Sequence, residues 1–174
     1  MTKLKVLVTG PFSAGKTTFI NAISEIATVS TEENVWGDDR QIKDRTTVGL
    51  DFGKVMVSED VQIYLFGTPG QDRFDFLWED LLQGSHVVML LIDRSNWRSV
   101  MAGKKFFDFY TSRTSVPLII IANKSDLSDI LTIDEIKTFY DLDPNYPFLE
   151  CIAFNRECVR LVLETLVREL LRYV

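Results

Sequence analysis

The run Gly10-Pro11-Phe12-Ser13-Ala14-Gly15-Lys16-Thr17-Thr18 holds the densest chemistry in the chain, spelling G-x-x-x-x-G-K-T. Gly10 and Gly15 permit backbone angles and close approaches that a side chain would block. The N–H groups from Ser13 through Ala14, Gly15, Lys16 and Thr17 to Thr18 can then wrap the α- and β-phosphates of a nucleotide. Lys16 supplies a mobile charge for the β- and γ-phosphates, and the Thr17 hydroxyl is a hard oxygen ligand for Mg²⁺. The flanks agree. Leu4-Lys5-Val6-Leu7-Val8 reads as a strand, and the residues from Phe19 to Ile26 place apolar side chains at helical spacing. A helix starting near Gly15 aims its free N–H groups and positive dipole end at the turn. Strand, glycine-bounded turn and helix together make a phosphate-binding P-loop.

A second constellation is suited to reading a base. Asn123-Lys124-Ser125-Asp126 follows directly on the apolar run Val116-Pro117-Leu118-Ile119-Ile120-Ile121-Ala122. The Asp126 carboxylate can accept hydrogen bonds from both N1–H and the exocyclic amino group of guanine. Adenine lacks that donor pair and would leave the carboxylate desolvated and unpaired.

The elements that must position these residues alternate. Strands are expected at 50–57 and 61–66, joined by the short turn Ser58-Glu59-Asp60, which implies an antiparallel hairpin. A helix is expected from about 72 to 83, a buried strand from His86 to Ile92, a helix over 96–112 and a strand over 117–122. A short helix over 132–140, a strand from Phe148 to Ile152 and a helix over 155–172 complete the chain. The last helix carries Val159, Val162, Leu163, Leu166, Val167 and Leu170 on one face. Strands alternating with helices imply a mostly parallel sheet covered on both faces, with ligands at the carboxyl ends of its strands. The polar stretch 27–47 is too long for an ordinary connection and reads as a functional loop.

Composition bounds the rest. At 174 residues, 46% hydrophobic and 25% charged, the chain is expected to be one soluble globular domain spanning 1–174. A net charge of −6 argues against broad nucleic-acid binding. The start Met1-Thr2-Lys3-Leu4-Lys5 shows no secretory signal or myristoylation site, and no apolar run reaches membrane-spanning length. The expected location is cytoplasmic, without a direct membrane anchor and with Cys151 and Cys158 as reduced thiols. His86 lacks a metal-spaced companion and reads as structural.

With P-loop, long polar loop, Thr68-Pro69-Gly70-Gln71 and N-K-S-D in order, residues 3–172 resemble a Ras-like small GTPase. The resemblance implies a three-layer α/β P-loop NTPase G domain, its mostly parallel six-stranded sheet carrying one antiparallel edge hairpin strand. Gly10-Pro11-Phe12, Ser24-Glu25-Ile26 and the run from Leu65 to Phe74 are similar to the prokaryotic branch around the gliding-motility switch MglA, which includes the small GTPases of actinobacterial conservon operons.

The resemblance implies roles residue by residue. Thr47 matches the threonine that binds Mg²⁺ and senses the γ-phosphate, Gly70 the glycine whose N–H contacts that phosphate, and Gln71 the glutamine that orients the attacking water. Ala153 falls in the loop whose backbone N–H meets the guanine carbonyl, with Phe154 in place of the family's lysine. Three departures matter. Gly67 stands where the family has an aspartate that holds a Mg²⁺-bound water. Asp51 is the candidate replacement, as in the MglA-like branch, and a plain strand-edge carboxylate is the competing reading. Phe12 and Ser13 replace small glycines, and Phe12 would crowd an arginine finger offered by a partner. Arg45, with Arg73 second, is therefore the candidate for a catalytic arginine in cis, against a solvated loop arginine.

The expected function is a switch that binds GTP and GDP with Mg²⁺ and hydrolyses GTP slowly. It would be accelerated by a partner, by resemblance a Roadblock-fold protein, and be read by effector proteins. The alternative is a GTP- or GDP-binding scaffold subunit that does not hydrolyse, or does so only with an activator.

Overall fold

The computed structural model describes residues 1–30, 33–34, 47–48 and 50–171. Among these described residues nine strands and five helices follow in order: β1 (Thr2–Thr9), α1 (Lys16–Ile23), β2 (Val29–Ser30), β3 (Glu33–Asn34), β4 (Thr47–Val48), β5 (Asp51–Ser58), β6 (Val61–Gly67), α2 (Phe76–Leu82), β7 (Val87–Asp93), α3 (Trp97–Arg113), β8 (Leu118–Asn123), α4 (Ile133–Tyr140), β9 (Phe148–Glu150) and α5 (Arg156–Leu171). A 3₁₀ turn, Asp72–Phe74, precedes α2, so the helix expected from 72 starts one turn late.

The main sheet runs β2-β5-β6-β1-β7-β8-β9. Besides β2 its six strands are those expected, with β9 shorter than the 148–152 span, and all are parallel except for β5, which pairs antiparallel with β6. β5 is not the edge. Val29 and Ser30 pair with Phe52 and Asp51, covering backbone groups that an outermost strand would leave open. Glu33–Asn34 and Thr47–Val48 form a separate two-stranded ladder.

Each central strand buries both faces, which explains its unbroken apolar run. Val6 and Val8 face one layer with Val87, Met89, Leu91, Ile119 and Ile121, and α1 and α5 cover them. Leu7, Val88, Leu90, Ile92 and Ile120 face the other layer, beneath Trp78 of α2, Phe106 and Tyr110 of α3, and Ile136 and Tyr140 of α4. The apolar face expected on the last helix packs into the first layer through Val159, Val162, Leu163, Leu166 and Val167. His86 is exposed and accepts the Lys5 N–H on Nδ1 at 3.0 Å, extending the β1–β7 seam.

The parallel strands β1, β6, β7, β8 and β9 all end on one edge of the sheet, and antiparallel β5 begins there. The phosphate loop, the Thr68–Gln71 turn, the N-K-S-D loop and the Ala153 loop are thereby delivered to that edge.

Candidate functional site

A cleft of about 660 Å³ opens on that edge, lined by the phosphate loop, Asp51, the turn after β6, the N-K-S-D loop and Ala153-Phe154. The phosphate loop takes its path from two glycines. Gly10 has φ 139°, and a Cβ there would lie 2.1 Å from the Leu91 carbonyl oxygen of β7. Gly15 caps α1 at φ 100°, and a Cβ there would lie 2.2 Å from Asn123 Nδ2. Any side chain at either position would push the loop off the sheet. Ser13 also adopts a left-handed conformation, φ 63°.

Lys16 is buried and donates from Nζ to the Gly10 and Pro11 carbonyls, each at 2.7 Å. Burial lowers its pKa from 10.5 to about 8, against the opposing pull of the Asp51 carboxylate. Thr17, one residue on, donates from Oγ1 to Asp51 Oδ2 at 2.5 Å. Thr18 lines the same cleft.

Asn123 ties the two halves of the cleft together. Its Nδ2 donates to the Ala14 carbonyl at 2.9 Å, and its Oδ1 accepts the Ala153 N–H at 2.9 Å. The Ala153 N–H expected to serve a base is thus engaged by Asn123, because Asn123 is 2% exposed and its buried amide oxygen needs a donor. Lys124, at φ 62°, pairs with Asp93. Asp126 is exposed and lines the cleft beside Leu127 and Phe154, the latter 70% exposed.

The turn after β6 is pressed against the phosphate loop. A Cβ on Gly70 would lie 2.5 Å from Phe12 N and 2.7 Å from Lys16 Nζ, so only glycine fits. Fully buried Trp78 donates from Nε1 to the Pro69 carbonyl at 3.1 Å, anchoring this turn from α2. Below it the hydroxyls of Thr9 and Thr68 share a 2.8 Å hydrogen bond, and Tyr110 OH accepts from Thr9 at 3.3 Å. Gln71 lies in the cleft wall, and its Oε1 accepts from Arg73 Nε at 2.7 Å. Phe12 is 69% exposed at the cleft mouth.

The structure therefore brings Gly10, Ser13, Ala14, Gly15, Lys16, Thr17, Thr18, Asp51, Gly70, Gln71, Asn123, Lys124, Asp126 and Ala153 to one edge. Arg45 lies outside the described residues, as do most of the 27–47 segment and the side chain of Thr47. Sequence reasoning missed Asp93, Arg94 and Trp78. The signal for the first two was available: a charged Asp-Arg pair at the carboxyl end of an entirely apolar strand. Among the described residues no group of three or more His, Cys, Asp or Glu side chains is placed to hold a metal. Burial pushes the Cys151 thiol up, away from reactivity. No helix of the described residues is long and apolar enough to cross a membrane.

A phosphate loop capped by a helix N-terminus, at the carboxyl edge of a mostly parallel sheet, defines a P-loop nucleotide-binding protein. Residues 28–171 match the model of a family described as a conserved hypothetical ATP binding protein. Over 178 aligned positions the chain is 30% identical to ADP-ribosylation factor-related protein 1 of Bos taurus, covering 97% of this chain and 86% of that protein. It is 29% identical over 144 positions to GTP-binding protein YPT1 of Saccharomyces cerevisiae, covering 78% and 69%. The chain belongs to the family that the matching model describes and to the Ras-like small GTPase superfamily. The same fold is seen in the Arl6 BBS3 small GTPase of Trypanosoma brucei, solved with the nucleotide analogue GppNp, at a TM-score of 0.74, 21% identity and coverage of 98% and 99%. The matched family region begins downstream of Gly10–Thr18.

Proposed function

We propose that this chain is a single G domain that binds GTP and GDP with Mg²⁺, hydrolyses GTP slowly and works as a nucleotide-dependent switch in the cytoplasm. The observation that carries the reading is the double hydrogen bond of Asn123 to Ala14 and Ala153. It joins the phosphate loop to the loop proposed to read the base, which supports one ligand spanning both. Asp126 favours guanine over the ATP of the family description, because only guanine offers its carboxylate two donors.

Thr17 Oγ1 and Asp51 Oδ2, 2.5 Å apart, are a hard-oxygen pair suited to magnesium. Thr47 would join them, and the ion would supply charge compensation at the β- and γ-phosphate oxygens. Lys16 and the loop N–H groups hold the phosphates, Gly70 brings its N–H to the γ-phosphate, and Gln71 orients the attacking water. Arg45 is proposed as the arginine that stabilises the transition state in cis, and a Roadblock-fold protein of the kind that serves the MglA-like branch as the activator. Effectors would read the nucleotide-dependent loops 27–47 and 67–80.

The test is single-turnover hydrolysis of preloaded GTP by the pure protein, with Mg²⁺ present and then chelated. Slow, Mg²⁺-dependent conversion to GDP is expected; GTP retained uncleaved would overturn intrinsic turnover. That outcome would favour the second reading, a scaffold or activator-dependent subunit, which two observations support: Phe12 stands exposed at the cleft mouth, and Arg73 occupies Gln71 Oε1.

A further inference from the structure

Asp93 ends β7 and Arg94 opens the turn that follows, the two 4% and 5% exposed. Two buried charges in succession demand partners. Asp93 meets the Lys124 ammonium and accepts the N–H and hydroxyl of Ser95 on Oδ1. Arg94 is held more widely. Its Nε donates to the Leu131 carbonyl at 2.9 Å, and its Nη1 donates to Ser125 Oγ at 3.1 Å and pairs with Glu150. Its backbone repeats two of these links, accepting from Leu131 N at 2.8 Å and donating to the Asn123 carbonyl at 3.2 Å. One residue thus ties the N-K-S-D loop to the segment before α4 and to the end of β9.

That loop needs an external hold. Lys124 sits at φ 62°, a conformation disfavoured for a side-chain-bearing residue and maintained only where the surroundings over-determine it. Ser125 is held on both sides, its hydroxyl donating to the Ala122 carbonyl at 2.9 Å while accepting from Arg94. Asp126 follows immediately and is exposed, so its carboxylate is aimed by the backbone of 124–125.

We propose that Arg94 is a positioning residue that sets the Asp126 carboxylate and thereby the purine specificity of the cleft. The planar guanidinium fork reaches the Leu131 carbonyl and the Ser125 hydroxyl with fixed geometry, which a lysine point charge cannot reproduce. This rests on the reading that the cleft takes guanine nucleotides through Asp126.

The experiment is equilibrium binding of GDP and of IDP, which lacks the exocyclic amino group, to the full chain and to Arg94→Met, Arg94→Lys and Ser125→Ala. The unaltered chain is expected to prefer GDP. Arg94→Met should weaken GDP by about 10-fold or more while weakening IDP less, so the preference collapses. Arg94→Lys and Ser125→Ala should shift the ratio in the same direction by smaller factors, and they keep the test open if Arg94→Met does not fold. Equal losses for GDP and IDP across the folded variants, leaving the ratio unchanged, would mark Arg94 as structural only and overturn the inference. An unaltered chain without preference for GDP would overturn the guanine reading itself, and this inference with it.

Discussion

Asp51 and Gly67 face each other across the β5–β6 ladder, and a Cβ built on Gly67 would lie 3.0 Å from Asp51 Cβ and 3.4 Å from its Oδ2. The Asp51 side chain fills the space that a side chain at 67 would use. A carboxylate supplied from β5 thus stands beside Thr17 where the family pattern supplies one from β6. Gly67→Asp alone should crowd Asp51 and destabilise the fold by about 2 kcal/mol in a denaturant melt. Asp51→Ala should weaken the Mg²⁺ dependence of GDP retention. The exchange Asp51→Gly with Gly67→Asp should restore it, and no recovery in the double variant would detach Asp51 from the metal.

Asn123 satisfies two buried backbone groups at once, so Asn123→Ala orphans both the Ala14 carbonyl and the Ala153 N–H. The expected loss is about 2 kcal/mol or more of stability without nucleotide. Asn123→Asp keeps an acceptor for Ala153 but sets a buried carboxylate oxygen against the Ala14 carbonyl, so it should cost at least as much as the alanine variant. Chemical denaturation of the nucleotide-free protein checks both, and equal stability of all three forms would refute the tie.

Burial of Lys16 makes nucleotide binding pH-dependent in a stated direction. Its pKa of about 8 in the folded protein lies below the ordinary 10.5, so the free protein loses this proton as pH rises through 8. Phosphates favour the ammonium, so GDP binding between pH 8 and 10 should take up protons and weaken as pH rises. Stability without nucleotide has the opposite trend. Between 8 and 10.5 the unfolded chain binds more protons, so Lys16's contribution to stability rises with pH over that window. Asp51→Asn removes a charge that raises the Lys16 pKa and should move the binding transition to lower pH. Titration calorimetry in buffers of different ionisation enthalpy reads the proton uptake directly.

Arg73 holds the oxygen that Gln71 would use to accept from water. Arg73→Lys, which lacks the Nε donor, should raise single-turnover hydrolysis by about 2- to 10-fold, the worth of one hydrogen bond. Gln71→Leu should lower it by about 10-fold or more. A rate that falls with Arg73→Lys would instead place Arg73 on the phosphates.

The legible part of the molecule was the part written in short-range patterns. Val87 to Ile92 could be read as a strand because both its faces are buried, so apolar residues run without a break. The glycines of the phosphate loop were legible because a turn between strand and helix restricts residue type locally. Antiparallel β5 followed from the brevity of the 58–60 turn. What failed depended on distant neighbours. The edge position expected for β5 was lost to Val29–Ser30, a pairing too short for any periodicity to reveal. Nor does anything in the sequence say that the Ala153 N–H would donate to Asn123, thirty residues earlier.

The sequence by itself determined what each local stretch offers: a turn with the backbone freedom to wrap phosphates, a carboxylate with the acceptors that guanine's donor pair would need, and strands that must lie inside. These follow from backbone freedom, donor and acceptor inventory and hydrophobic period, all local properties of the chain. Tertiary structure alone decided that Asp51 fills the space above Gly67, that Asn123 locks two loops together and that Arg94 holds a third. Those relationships depend on strand order and register, which bring residues from 16 to more than 100 positions apart within hydrogen-bonding or van der Waals reach.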